Sequence, residues 1–148
     1  MPERVVCTPS ASALIARLKN AYGPLIFHQA GVSAKESAPL CFTRRDFRVG
    51  AQDVLVGVVD GCPLYAVPRQ FEASAHAQLI MDVARIAENS FSLEAAEGVR
   101  FVTRTRPFSE AELEELRAAG PPPRGPHAFP DFMAALARAN PAGRDAAA

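Results

Sequence analysis

The sequence predicts an α+β fold, and three observations carry that prediction. A Thr-Pro-capped amphipathic helix occupies residues 8–22. An almost wholly apolar hairpin, VLVGVV and PLYAV about Asp60-Gly61, spans 53–67. Further on, Val99, Phe101 and Thr103 alternate with Arg100, Val102 and Arg104, the period of a strand with one more polar face. Together they predict an N-terminal helix packed on a mostly antiparallel sheet of two hairpins plus flanking strands, with short C-terminal helices.

Each element follows from its own residues. RVVC at 4–7 is a short apolar lead-in. Thr8 caps the first helix and Pro9 takes its first position, where a missing N–H costs nothing. Leu14, Ile15, Leu18 and Tyr22 recur at helical spacing, and Gly23-Pro24 ends the run. Leu25–Gln29 is too short and too closely bounded for a helix and reads as a strand. Gly31 to Ser37 is a loop of small and polar residues, and Cys41-Phe42 begins a second extended segment.

Asp60-Gly61 suits a two-residue hairpin turn because both residues tolerate positive φ. Both hairpin arms are apolar throughout, which predicts cover on both faces, and Gly57 within one arm predicts a close backbone approach. Leu79, Ile80, Val83 and Ala84 fit a helical stripe, but LIMDV also fits a strand. The reading adopted is a turn of helix over 70–76 and a strand over 77–84. A second hairpin is predicted with arms 90–93 and 99–104 around EAAEG, leaving Glu94 and Glu97 solvated. Ser109 and Glu112 form a capping box for a helix that ends at Gly120.

These boundaries predict one α+β domain over residues 1–119. GPPPRGP gives a stiff Pro/Gly linker over 120–128, followed by a short helix and a disordered tail over 129–148. At 148 residues, 49% hydrophobic and 22% charged, the chain is long enough to bury a core.

Sixteen basic and sixteen acidic residues cancel, so no electrostatic footprint for nucleic acid or anionic lipid exists. Near-zero net charge also lowers one barrier to self-association, and a homo-oligomer is expected. No apolar run approaches the roughly 20 residues of a membrane span. Cys7, Cys41 and Cys62 are odd in number, widely spaced and without a CxxC pair, which argues against a disulfide framework or zinc ribbon. A reduced, cytoplasmic protein is the resulting expectation.

The candidate site is the stretch Leu25 to Cys41, LIFHQAGVSAKESAPLC. His28 ends an apolar strand beside a loop of small residues, and Cys41 lies where the chain returns. Glu72 and His76 stand four apart, on one face if 70–76 is helical. His28, Cys41, His76 and Glu72 together have the ligand chemistry for zinc or another divalent transition metal. The competing reading makes both histidines satisfied polar groups and Cys41 a small buried hydrophobe. As a catalytic nucleophile, Cys41 needs a base or cation, for which His28, His76, Arg44 and Arg45 are the candidates. No P-loop, GxSxG, HExxH or GxGxxG pattern is present.

Six segments in order, TPSASALIARL, YGPLIFHQAG, SAPLC, FRVGAQDVLVGVVDGCPLYA, QFEASAHAQLIMDV and FSLEAAEGVRFVTRTRPF, resemble the domain of unknown function 779 family of uncharacterised bacterial proteins. They cover roughly residues 7–108. The resemblance implies a small cytoplasmic protein, often encoded near aldehyde or alcohol dehydrogenases, with no established activity. Family members usually carry glycines, two adjacent cysteines and Asp-Gly in the loop after the His-Gln strand. This chain has Ser33-Ala34 in place of the cysteine pair, keeping Cys41, His28 and His76.

A more distant likeness joins the order of elements to A-type iron–sulfur carrier proteins. Those need three cysteines including a C-terminal CxC-like pair, which is missing here, so iron–sulfur transfer is not expected. The leading expectation is a non-enzymatic accessory or binding protein, with a dehydrogenase as the partner implied by resemblance. The alternatives are a small metal- or thiol-dependent enzyme using Cys41 with His28 or His76, and a variant that has lost its loop ligands and acts through a dimer interface.

Overall fold

The computed structural model describes residues 2–30, 38–85 and 92–139. Among these described residues, seven strands divide between two mixed sheets. Strands β1 (Val5–Cys7), β6 (Ala77–Arg85) and β7 (Val99–Pro107) form one sheet in the order β1-β6-β7. Strands β2 (Leu25–Gln29), β3 (Leu40–Thr43), β4 (Val54–Val59) and β5 (Cys62–Ala66) form the other, in the order β3-β2-β5-β4. Neighbouring strands run antiparallel except β1 with β6 and β2 with β5.

Helix α1 (Pro9–Tyr22) starts as its residues dictate, with the Thr8 hydroxyl accepting from Ala11 N at 3.2 Å and Pro9 at the first position. Its buried stripe is Ala11, Leu14, Ile15 and Leu18, packed against both sheets. Tyr22, expected on that stripe, stands 44% exposed at the helix end. The main core forms where α1 and the inner faces of the sheets meet, and Phe27 and Phe101 cross it edge to face with ring centroids 5.0 Å apart.

The outer face of the four-stranded sheet is covered as well. Ile26, Leu55 and Tyr65 pack there with Ala128 and Phe129. This double cover explains why the arms of the β4–β5 hairpin are apolar throughout. Asp60 and Gly61 make the turn at φ 49° and 78°. A Cβ at Gly57 would lie 2.6 Å from Val5 Cγ1, so glycine is what lets β4 and β1 approach.

The second hairpin is real, but its arms differ from those expected. β7 pairs along its whole length with β6, from Ala77 opposite Pro107 to Arg85 opposite Val99. Leu93–Glu97 forms a 3-10 turn that leads into β7. Residues 86–91, and with them half of the expected first arm, lie outside the described residues.

The proline-rich segment lies along the open edge of β4. Leu55 N donates to Pro123 O at 2.9 Å, Gly125 N donates to Asp53 O at 2.9 Å, and Val54 bridges Arg124. The buried Tyr65 hydroxyl donates to Gly125 O at 3.0 Å and accepts from Phe129 N at 3.2 Å. These bonds cover a sheet edge that would otherwise expose unpaired backbone groups. Helix α2 (Pro68–Ser74) precedes β6, while α3 (Glu110–Ala119), with the expected Ser109–Glu112 capping box, and α4 (Ala128–Ala139) follow β7.

Candidate functional site

Strands β2 and β3 pair across the 30–39 loop, with Phe27 opposite Cys41 and His28 opposite Leu40. Side chains on adjacent positions of a strand point to opposite faces. Cys41 therefore joins Phe27 in the main core, while His28 turns outward onto Phe47, with ring centroids 4.9 Å apart. A metal site on both residues would need His28 and Cys41 within bonding reach, but a one-residue offset in register puts the sheet between them.

The other members of the predicted metal set are also apart. Glu72 is exposed on α2, and His76 is exposed in the turn that follows, because the helix ends at Ser74. His76 uses its backbone carbonyl to accept from Phe108 N at 3.0 Å. Among the described residues, no three His, Cys, Asp or Glu side chains are placed to hold one metal ion. Gly31 to Ser37, including Ser33-Ala34, lie outside the described residues.

The structure gives His28 a different partner. Its Nε2 lies 3.3 Å from Asp53 Oδ2, and each side chain is only 13% exposed. The atoms are close but poorly aligned for a hydrogen bond, leaving Nε2 without a well-formed one. Asp53 Oδ2 also accepts from Gly50 N at 2.8 Å, which fixes the carboxylate. A histidine beside a fixed carboxylate has acid–base chemistry available to it.

Cys41 sits in a second polar cluster, buried on the inner face. Its backbone N donates to Ser92 Oγ at 2.7 Å, and Ser92 Oγ in turn donates to Glu94 Oε1. Glu94 Oε2 accepts from Phe101 N at 2.9 Å. Ser92 is 5% exposed and Glu94 is fully buried, correcting the expectation that Glu94 is solvated. Glu97 is exposed as expected and reaches Arg17 at 3.3 Å. Gln29, also fully buried, directs Nε2 toward Thr103 Oγ1 at 3.4 Å from the adjoining end of β2.

The electrostatics of this cluster bear on the thiol. Burial holds the Glu94 carboxyl above its ordinary range, against the opposing pull of the hydrogen bonds from Ser92 and Phe101. Burial first, and then the Glu94 charge, push the Cys41 thiol up, so it stays protonated at neutral pH. Cys7 is pushed up to about 12, chiefly by burial and then by Asp60. All three cysteines are free thiols.

Asp53, Ser92 and Glu94 are the site residues that sequence reasoning missed. Asp53 opens the apolar hairpin and carries no ligand or catalytic spacing, while Glu94 sits in EAAEG, a context that reads as solvated. The one local signal was Ser92 two residues before Glu94, a spacing that lets the hydroxyl meet the carboxylate across a turn.

A family model for a domain of unknown function, DUF779, matches residues 14–106. The chain belongs to the DUF779 family. The matched span holds His28, Asp53, Cys41, Ser92 and Glu94, while the proline-rich strap and α4 of this DUF779 protein follow it. No curated protein and no solved structure matches the chain. No helix among its described residues is long and apolar enough to cross a membrane.

Proposed function

We propose that this DUF779 protein is an accessory protein that works by docking on another protein, in a reducing compartment, and not by chemistry at its thiols. The observation that carries this reading is the outer face of α4. Phe132, Met133 and Leu136 are 42%, 37% and 51% exposed, and they stand at the spacing of one helical face. Phe132 also helps line a cavity of about 410 Å³ with Pro121, Pro122, Pro123 and Leu116. Large apolar residues grouped in this way on a folded surface mark contact with a partner. The seclusion of Cys41 supports the same reading, because a protonated, fully buried thiol is a poor nucleophile and a poor ligand.

Family resemblance supplies the class of partner, an aldehyde or alcohol dehydrogenase. Sedimentation of the purified protein with a purified dehydrogenase encoded beside it tests the proposal. A faster-sedimenting complex, lost in the double variant Phe132→Ser/Leu136→Ser, is the expected result. No complex at micromolar concentrations contradicts it. Self-association of the protein alone, abolished by the same double variant, would instead assign the face to a second copy of this chain.

A further inference from the structure

We infer that the outer face of the four-stranded sheet carries a binding site for a small monocarboxylate with an apolar tail. This site borrows Phe129 from α4 but does not use Phe132, Met133 or Leu136 of the docking face. Its floor is Ile26 and Tyr65, its walls are Phe47, Val49 and Phe129, and the open cavity between them measures about 510 Å³. That volume lies within the range of small-molecule sites, roughly 300–1,000 Å³, and the walls are mainly apolar, as such sites are.

Two guanidinium groups, Arg44 and Arg48, line the same cavity. Arg44 lies over the Phe129 ring, 4.7 Å from its centroid, which fixes it at one wall. Neither arginine has an ion-pair partner among the described residues. The nearby acids are committed elsewhere: Asp46 accepts from Thr43 Oγ1 at 2.7 Å, while Asp53 accepts from Gly50 N and faces His28.

The Tyr65 hydroxyl is occupied by Gly125 and Phe129, so it offers the cavity its ring and not its proton. What remains is an apolar hollow with two guanidinium groups at its wall, neither held in an ion pair among the described residues. A planar carboxylate suits a guanidinium fork, and a hydrocarbon tail suits Ile26, Val49 and the aromatic rings.

Calorimetric titration with octanoate, 1-octanol and acetate tests the inference, with amide shifts mapping where octanoate binds. Octanoate is expected to bind and to shift amides around Ile26, Tyr65 and Phe129. The alcohol, lacking the charge, should bind about tenfold more weakly or worse, the size of one charge-assisted contact, and acetate should bind at least as weakly because it lacks the buried tail. Arg48→Gln, at an exposed residue and so compatible with the fold, should weaken octanoate by a similar factor. Arg45→Gln, just outside the cavity, should leave it unchanged. Equal binding of octanoate and octanol, indifference to Arg48→Gln, no binding of octanoate, or shifts confined to another face would each overturn the inference.

Discussion

Ser92 and Glu94 meet in the core, the serine hydroxyl donating to the carboxylate directly beneath Cys41. This contact ties the returning strand β3 to the 3-10 turn and, through Phe101, to β7 in the other sheet. Buried carboxylates are rare unless they are hydrogen-bonded, and this one accepts from the Ser92 hydroxyl, the Phe101 amide and its own backbone amide. It stitches the two sheets together at the base of the loop.

The carboxyl of Glu94 has a folded-state pKa above the ordinary 4.5, because burial opposes its ionisation. When pH rises past 4.5 the unfolded chain loses this proton before the folded one, so the unfolded state binds fewer protons and stability falls. The fall continues until the pH passes the folded-state value, and below 4.5 it disappears. Urea midpoints measured from pH 4 upward should therefore decline more in the wild type than in Glu94→Gln. Glu94→Ala should cost about 1–3 kcal/mol below pH 4.5, by leaving Phe101 N unsatisfied, and less as the pH rises and the wild type loses its own margin.

Gly57 faces Val5 at a distance that no side chain tolerates. Gly57→Ala should destabilise the fold by about 1–3 kcal/mol through overpacking between β4 and β1. Val5→Ala in the same chain should recover part of that loss, and a double-mutant cycle from urea unfolding would show the coupling.

Tyr65→Phe removes one hydroxyl and breaks two buried bonds, to Gly125 O and from Phe129 N. The expected cost is about 1–3 kcal/mol. It should fall locally as well, with faster amide exchange over 123–130 and little change in β2 or β6.

Much of this fold was legible because its signals are local. The Thr8-Pro9 start of α1, the Asp60-Gly61 turn and the Ser109–Glu112 capping box each depend on residues within one turn of each other, and each appears where expected. The strand reading of LIMDV also holds, within β6. The parallel pairings β1–β6 and β2–β5 join segments far apart in sequence, and no periodicity encodes them.

The site was less legible for the same reason. His28 and Cys41 are each on the strand expected of them, but only the register, Cys41 opposite Phe27, puts them on opposite faces. Glu94 carries no pattern that tells a buried glutamate from a solvated one. Its burial follows from Ser92 and the Phe101 amide meeting it, and those contacts exist only once β7 is in place. GPPPRGP carries no strand pattern, yet backbone bonds to Asp53 and Leu55 hold it against β4.

Cys41 is a packing residue held over Ser92 and Glu94, and its alkylation rate tests that most directly. In a Cys7→Ser/Cys62→Ser background, iodoacetamide at pH 8 should label Cys41 at least about a hundredfold more slowly in the native protein than in urea, because labelling then awaits opening of the core. A native rate equal to or above the unfolded one would show a reachable, activated thiol. It would return Cys41 to the role of nucleophile or ligand.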